Sequence, residues 1–161
     1  MHRLDIVGVR AELPSKQPIV LLKEVGGGRD LPIWIGAVEA TAIAFAQEGI
    51  TTARPMTHDL MRDVLRALHT ELTQVTITDL QDGVFFATLV FNNGVEVSAR
   101  PSDAIALAMR MGAPVYGVES VLAEAGITVP EEQEQEQESE LEKFREFLDT
   151  ISPEDFNTPG S

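Results

Sequence analysis

The sequence predicts an α+β fold, in which antiparallel hairpins and separate helices surround one core. Short segments of alternating apolar residues are joined by turns containing glycine or asparagine, which indicates β-hairpins. Two segments rich in small apolar residues are each closed by a glycine, which indicates buried helices. The chain has 161 residues, 43% of them apolar, so it can bury a core within one domain.

The first half of the chain is predicted to form three strands and then two helices. The strands are expected at residues 2–12, 18–25 and 31–36. The turn "GGGRD" at 26–30 is not followed by Gly-Lys-Ser/Thr, so it is not a phosphate-binding loop. A helix is expected at 37–49, ending at Gly49, and Thr57 is expected to cap the next helix, "THDLMRDVLRALH".

The second half repeats this order of elements. The segments "TQVTITDLQ", "VFFATLVF" and "VEVSAR" are expected to form strands, joined by an Asp-Gly turn and an Asn-Asn-Gly turn. An apolar helix should run from Pro101 to Met111 and end at Gly112. Because both buried helices start with an acid followed by small apolar residues, two halves of three strands plus a helix are predicted. A short strand at "PVYGV" and a helix at "ESVLAEAG" complete the body.

Three regions are expected along the chain: a body at 1–129, an acidic linker at 130–138, and an amphipathic helix with its tail at 139–156. Ser139 and Glu142 form a capping-box pattern at the start of that helix. The apolar residues that recur at helical spacing are Leu141, Phe144, Leu148 and Ile151, before Pro153. Such a helix is expected to dock on the body or on a partner chain.

Charge and composition limit the function and the location of the protein. The net charge is −14, with 15 acids against 10 bases in the first 129 residues (−5) and 11 against 2 after them (−9). The body therefore lacks the broad basic surface that binds nucleic-acid backbones. Without cysteine, disulfides and thiolate metal sites are excluded, and no apolar run approaches the roughly 20 residues of a membrane span. We expect a cytoplasmic protein.

The stretch "VSARPSDAIALAMRMG" is the first candidate site, because it gathers Arg100, Ser102 and Asp103 at the start of a buried helix. A helix N-terminus presents free N–H groups and partial positive charge, and Arg100 would add to its attraction for an anion. Asp103 has two roles open to it. It can pair with Arg100, or it can hold a divalent cation that bridges to phosphate.

The helix "THDLMRDVLRALH" is the second candidate. Its predicted buried stripe consists of Leu60, Met61, Val64, Leu65 and Leu68. His58 and Arg62 are neighbours on the opposite side, as are Asp59 and Asp63. His58 lies in the first turn, where the helix dipole favours its neutral form and keeps it available as a ligand or base. The alternative is a solvated face of internal ion pairs.

Glu39, at the start of the first buried helix, is the third candidate, and its alternative role is to complement the helix dipole. The chain has no Gly-x-Ser-x-Gly elbow and no His-Glu-x-x-His motif. The remaining carboxylates, histidines and arginines are the set used in metal-assisted phosphodiester hydrolysis.

Four ordered blocks of sequence resemble the bifunctional nuclease domain family, in its actinobacterial type. They are "LPIWIGAVEATAIA", "RPMTHDLMRDVL", "VSARPSDAIALAMR" and "EKFREFLDTISPEDF", and the resemblance extends from about residue 3 to 156. It implies an α+β body, a cytoplasmic location and a nuclease that cuts DNA and RNA with little sequence preference. The characteristic polar positions of the family fall on Glu39, His58, Asp59, Arg100, Ser102 and Asp103.

We therefore predict a phosphodiester hydrolase acting on DNA and RNA, assisted by a divalent cation such as Mg²⁺ or Mn²⁺. The predicted catalytic residues are His58, Asp59 and Asp103. The predicted substrate-binding residues are Arg100, Ser102 and Arg62. The predicted metal ligands are Glu39, Asp59 and Asp103.

The alternative function is a non-catalytic binding or regulatory module, in which the polar helix starts are structural ion pairs. Such a module would recruit a protein partner through its C-terminal helix. A homodimer is expected in either case, because the terminal helix and the hairpin edges offer apolar surface.

Overall fold

A computed structural model describes residues 1–12, 17–128 and 131–149 of the protein. The strands are β1 (His2–Glu12), β2 (Gln17–Glu24), β3 (Arg29–Trp34), β4 (Leu72–Gln81), β5 (Val84–Phe91), β6 (Glu96–Ala99), β7 (Val115–Gly117) and β8 (Ile127–Thr128). The helices are α1 (Ala37–Glu48), α2 (Thr57–Ala67), α3 (Pro101–Met111), α4 (Glu119–Ala125) and α5 (Glu131–Asp149).

The strands form one eight-stranded mixed sheet in the order β6-β5-β4-β7-β1-β2-β3-β8. Strands β1 to β3 pair antiparallel in sequence order, and so do β4 to β6. The short strand β7 joins these two groups, because it pairs antiparallel with β1 and parallel with β4. The predicted α+β fold, with two halves of three strands followed by a helix, is confirmed.

Helices α1 and α3 form the centre of the core and pack against each other and the sheet. The five consecutive residues 104–108 of α3 are fully buried, and so are Ala40 and Ile43 of α1. The alanines among these positions allow the two helices to approach closely. Both helices end as predicted, at Gly49 (φ 65°) and Gly112 (φ 67°), in the left-handed conformation that glycine adopts without strain.

Helix α2 is rotated about its axis relative to the prediction, so that its polar side faces the body and its apolar side faces solvent. In its apolar stripe, Leu60 and Leu68 are 52% and 68% exposed, Met61 and Val64 are also exposed, and only Leu65 packs against the core. The prediction of a buried stripe was therefore wrong. The physical reason is that the polar side of α2 finds charged partners on α3, which hold that side inward.

The start of α2 also differs from the prediction. Thr57 is the first residue of the helix and not its cap, because Met56 occupies the cap position. The Met56 N–H donates a hydrogen bond of 3.1 Å to Asp59 Oδ2, so a side chain of the first turn pairs with the backbone N–H of the cap residue.

Helix α5 confirms the predicted amphipathic C-terminal helix but starts earlier. It begins at Glu131, so the backbone of the expected linker is helical from that residue onward. Leu141 and Leu148 are buried, and Arg145 Nε donates to Glu48 Oε1 at 2.8 Å, which docks the helix on the body.

Ile151 and Pro153 lie outside the described residues, and the division into body, linker and tail stays a prediction. No helix in the described ranges is long and apolar enough to cross a membrane.

Candidate functional site

The first turns of α1, α2 and α3 meet at one cavity of about 220 Å³. Glu39, His58 and Asp103 come from these three turns, and Arg100 immediately precedes α3. The residues that line the cavity are Val38, Glu39, Ala42, Met56, Thr57, His58, Arg100, Asp103 and Arg110. The site exists because α1 and α3 each follow the third strand of a half and pack side by side, which brings their first turns together.

Asp103 is the central residue of the site. Its Oδ1 lies 3.0 Å from His58 Nε2, and its Oδ2 accepts a 2.8 Å hydrogen bond from Arg100 Nε. Arg100 Nη1 donates to Glu39 Oε1 at 3.1 Å, so four side chains form one continuous chain of contacts. The Arg100 side chain is 65% exposed and that of His58 only 15%, so the arginine faces solvent while the imidazole is largely enclosed.

The ionisation of Asp103 and Arg100 follows from this pairing. Partial burial raises the pKa of Asp103, but the hydrogen bonds from Arg100 and His58 outweigh burial and hold that pKa below its usual value. The hydrogen bond to Asp103, and then the one to Glu39, raise the pKa of Arg100. Both groups are therefore charged at neutral pH.

Asp59 belongs to a second contact at the wall of the same cavity. Its Oδ1 accepts a 2.7 Å hydrogen bond from Arg110 Nε. Burial alone would raise the pKa of Asp59. Hydrogen bonds from Arg110 and from the Met56 N–H have the opposite and larger effect, so the pKa lies below its usual value. Arg110 Nη1 and Nη2 also donate to the carbonyl oxygens of Ala106 and Ala42 at 2.9 Å. One guanidinium group thus joins α1, α2 and α3.

Arg110 is a residue of the site that the sequence analysis missed. Its side chain is 7% exposed, and it positions the three helix starts on which the cavity depends. A signal was available in the sequence, because an arginine in the last turn of a fully apolar helix must find partners for its charge.

The structure brings together four of the predicted residues: Glu39, His58, Arg100 and Asp103. Ser102 is buried and lines a neighbouring cavity that also includes Arg100. Arg62 does not line the site, and its Nε donates to the neighbouring Asp63 Oδ1 at 3.0 Å.

The predicted metal ligands do not form one group of carboxylates. Arg100 contacts both Glu39 and Asp103, whereas Asp59 is engaged by Arg110. Within the described ranges, no three or more histidine and acidic side chains are arranged to hold a metal ion. Of the two partners open to Asp103, the pairing with Arg100 is present, and a cation stays a prediction.

A small α+β domain whose helix starts gather a histidine, two carboxylates and an arginine beside a cavity has the groups that acid–base chemistry on a phosphate requires. The model of the bifunctional nuclease domain matches residues 20–130, so the chain belongs to the bifunctional nuclease domain family. This confirms the predicted family, and the matched segment contains every residue of the site.

Two relatives match over nearly their whole length. Uncharacterized protein MT1877 and Uncharacterized protein Rv1829, from two strains of Mycobacterium tuberculosis, are each 51% identical over 161 residues, covering 97% of this chain and 98% of theirs. Bifunctional nuclease 2 of Arabidopsis thaliana is 30% identical over 112 residues, which is 64% of this chain and 34% of the plant protein.

Proposed function

We propose that the protein is a nuclease that hydrolyses phosphodiester bonds of DNA and RNA at the cavity between α1, α2 and α3. Membership of the bifunctional nuclease domain family supports the substrate class. The observation that carries the assignment of the site is Asp103, which contacts a histidine on one oxygen and an exposed arginine on the other, beside an open cavity.

His58 is the general base in this proposal. We assign the proton of the ring to Nε2, because that nitrogen faces the ionised Asp103 at 3.0 Å. Nδ1 then carries a lone pair, and it has no hydrogen-bond partner among the described residues. Asp103 fixes the orientation of the ring and stabilises the imidazolium that forms when Nδ1 takes a proton, as the acid of a catalytic triad does.

Arg100 holds the phosphate. Its Nε and Nη1 contact Asp103 and Glu39, while its Nη2 donates to no side chain or backbone group in the described part of the chain. A phosphate oxygen can accept from Nη2 without breaking either pair. The guanidinium then stabilises the negative charge that builds on the phosphoryl oxygens during attack.

The proposed step is hydrolysis by water. His58 Nδ1 takes a proton from water as its oxygen forms a bond to phosphorus, and the bond from phosphorus to the departing sugar oxygen breaks. The departing oxygen takes a proton from solvent, and His58 returns its proton to solvent. General base catalysis of this kind contributes about 10²- to 10⁴-fold.

The test is cleavage of single-stranded DNA and RNA by the purified chain and by His58→Ala. We expect the variant to lose about 100-fold or more in rate while remaining folded, because the contact between Asp59 and Arg110 still holds α2 on the body. The matched control is His69→Asn. His69 is exposed and has φ 57°, a conformation that asparagine tolerates. Equal rates for the wild type and His58→Ala would refute the assignment of the base.

A divalent cation is not a part of this mechanism. As arranged, Glu39 and Asp103 do not fit a cation, because the Arg100 guanidinium contacts both. We therefore expect cleavage to continue in excess EDTA. Loss of cleavage in EDTA that Mg²⁺ or Mn²⁺ restores would support the metal-assisted route predicted from the sequence, with Arg100 displaced.

We also propose that two copies of the chain associate through α2. Leu60, Val64 and Leu68 form an exposed stripe at i, i+4 and i+8, on the side of the helix away from the site. Because Asp63 precedes Arg66 along this helix, an antiparallel two-fold pairing would bring opposite charges together at the rim. The C-terminal helix is less suited to this role, since Leu141 and Leu148 are already covered by the body; recruitment of a protein partner by α5 stays a prediction.

The dimer is tested by the double change Leu60→Glu and Val64→Glu, with sedimentation or light scattering as the measurement. We expect the wild type to have twice the mass of one chain and the variant to be monomeric, because burying two unpaired carboxylates opposes association. The control is Phe147→Glu, on an exposed residue of α5. A monomeric wild type would contradict the proposal.

A further inference from the structure

A second cavity, of about 350 Å³, adjoins the proposed phosphodiester site. It lies between the end of β3, the turn that joins β4 to β5, and the start of α3. Arg100 lines both cavities, so a ligand whose phosphate contacts this arginine lies at the mouth of the second cavity. The proposed hydrolysis does not use this space.

The second cavity has an aromatic and apolar wall that is open to solvent. Trp34, the single tryptophan of the chain, lines it and is 51% exposed. Val84, at the β-turn opposite, lines it too and is also exposed. An exposed aromatic side chain gives up the free energy that its burial would provide, and a flat ligand stacked on it would recover part of that free energy. The neighbouring arginine favours a flat ligand that also contains an anionic group.

Ser102 adds a polar group to this wall. The residue is 7% exposed and lines the same cavity. Its hydroxyl makes no hydrogen bond to any residue that the structure describes. The hydroxyl oxygen keeps some exposure to solvent, and it can both donate and accept. A ligand with a polar edge in this cavity can therefore hydrogen-bond to it.

We propose that this second cavity binds one nucleobase of a single-stranded nucleic acid. The base stacks on Trp34, its polar edge hydrogen-bonds to Ser102 Oγ, and the adjoining phosphate contacts Arg100. A nucleobase combines an aromatic face, a polar edge and a neighbouring phosphate, which are the three features that the cavity and Arg100 match. This inference rests on the proposed function, because it takes nucleic acid as the substrate.

The base pocket has a consequence for substrate choice. In a duplex each base is stacked and paired, so it would have to leave the helix at a cost before it could reach Trp34. In a single strand, moving a base out of its stack into the cavity costs less free energy. The pocket therefore favours single-stranded DNA and RNA, and the acidic body of −5 reinforces this preference because it offers few contacts to a duplex backbone.

The experiment compares two ligands with the same number of phosphates: an oligothymidylate and an abasic oligonucleotide of equal length. The protein is His58→Ala, so that cleavage during the titration is slow. Because the chain contains one tryptophan, its fluorescence reports on Trp34 directly. We expect oligothymidylate to quench this fluorescence and the abasic ligand to leave it unchanged.

Affinities are measured in parallel by anisotropy of labelled ligands. Stacking of one base is worth roughly 5- to 150-fold in affinity, so oligothymidylate should bind more tightly than the abasic ligand by a factor in this range. Adding Trp34→Ala should remove the difference, whereas Trp34→Phe should keep most of it. Ser102→Ala should reduce it by a smaller factor. Phe147→Ala, which removes an exposed aromatic side chain from α5, should change nothing.

The outcomes separate this inference from the proposed nuclease activity. Equal affinity for the two ligands overturns the base pocket, even if the wild type cleaves nucleic acid. Base-dependent binding and quenching support the pocket, even if the wild type proves unable to cleave. If Trp34→Ala melts at a lower temperature than the wild type, the base pocket is judged from the Trp34→Phe and Ser102→Ala variants. The first should keep most of the difference in affinity between the two ligands, and the second should reduce it.

Discussion

Two clusters in this protein each contain one histidine, one arginine and two carboxylates, yet they have different properties. His58, Asp103, Arg100 and Glu39 form the candidate site. At the other cluster, Arg29 donates to both oxygens of Glu24 at 3.1 and 2.7 Å and to both oxygens of Glu119 at 3.1 and 2.9 Å. His2 bridges the same two carboxylates, with Nδ1 3.3 Å from Glu24 and Nε2 2.6 Å from Glu119.

The difference is in the unused hydrogen-bonding capacity of the two clusters. Both ring nitrogens of His2 face carboxylates, and the Arg29 side chain is only 26% exposed and bound on both sides. In the candidate site, among the residues that the structure describes, His58 uses one nitrogen and Arg100 keeps Nη2 without a partner at a cavity. A histidine, two acids and an arginine thus make a structural clamp when every donor is matched. They can act on a substrate when a base and a donor remain unmatched beside open space.

The largest expected effect comes from exchanging each arginine for alanine. Arg100→Ala removes a donor to the transition state, and we expect cleavage to fall about 10²- to 10³-fold with little change in melting temperature. Arg29→Ala should lower the melting temperature, because Glu24 is nearly buried and would lose the arginine that pairs with both of its oxygens, while cleavage by the folded protein stays unchanged.

Rates and thermal melts of both variants measure this contrast. The non-catalytic module predicted as the alternative function would give the reverse for Arg100→Ala, a clear drop in melting temperature with no cleavage to lose. If both arginines affected only stability, the distinction between clamp and site would fail.

The sequence predicted the elements whose signals are local. The glycines that end α1 and α3 and the turns at Gly83 and Gly94 all adopt positive φ, which glycine accepts at low cost. It could not predict which side of α2 faces inward. An amphipathic pattern shows that two sides differ, but here Asp59 and His58 are held by partners that lie 51 and 45 residues away along the chain.

The same limit applies to the site and to α5. The sequence could nominate Glu39, His58 and Asp103 as first-turn residues, but only the packing of the helices brings them to one cavity. The pairing of Arg100 with both carboxylates depends on a contact with Glu39 across 61 residues. Residues 131–138 of the expected acidic linker belong to α5, and glutamate and glutamine are good helix formers.

A decrease in pH is expected to have a smaller effect on the melting temperature. The two clusters should contribute differently to this effect, because their side chains differ in exposure to solvent. Hydrogen bonds from Arg29 lower the pKa of Glu24 and of Glu119 below the ordinary 4.5. A carboxylate with a lowered folded-state pKa stabilises the fold above its unfolded pKa, and this contribution disappears as the pH falls through the folded-state pKa. The melting temperature should therefore decrease as the pH is lowered below 4.5.

Thermal melts of the wild type, Arg29→Ala and Arg100→Ala across this acid range measure the contribution of each cluster. Arg29→Ala should melt lower at neutral pH but lose less on acidification, because its two carboxylates no longer have depressed pKa values to lose. Arg100→Ala should follow the wild type more closely, since the Arg100 side chain is 65% exposed against 26% for Arg29 and its pairing is more strongly screened by solvent. Parallel curves for all three proteins would contradict the assignment of Arg29 as the structural clamp.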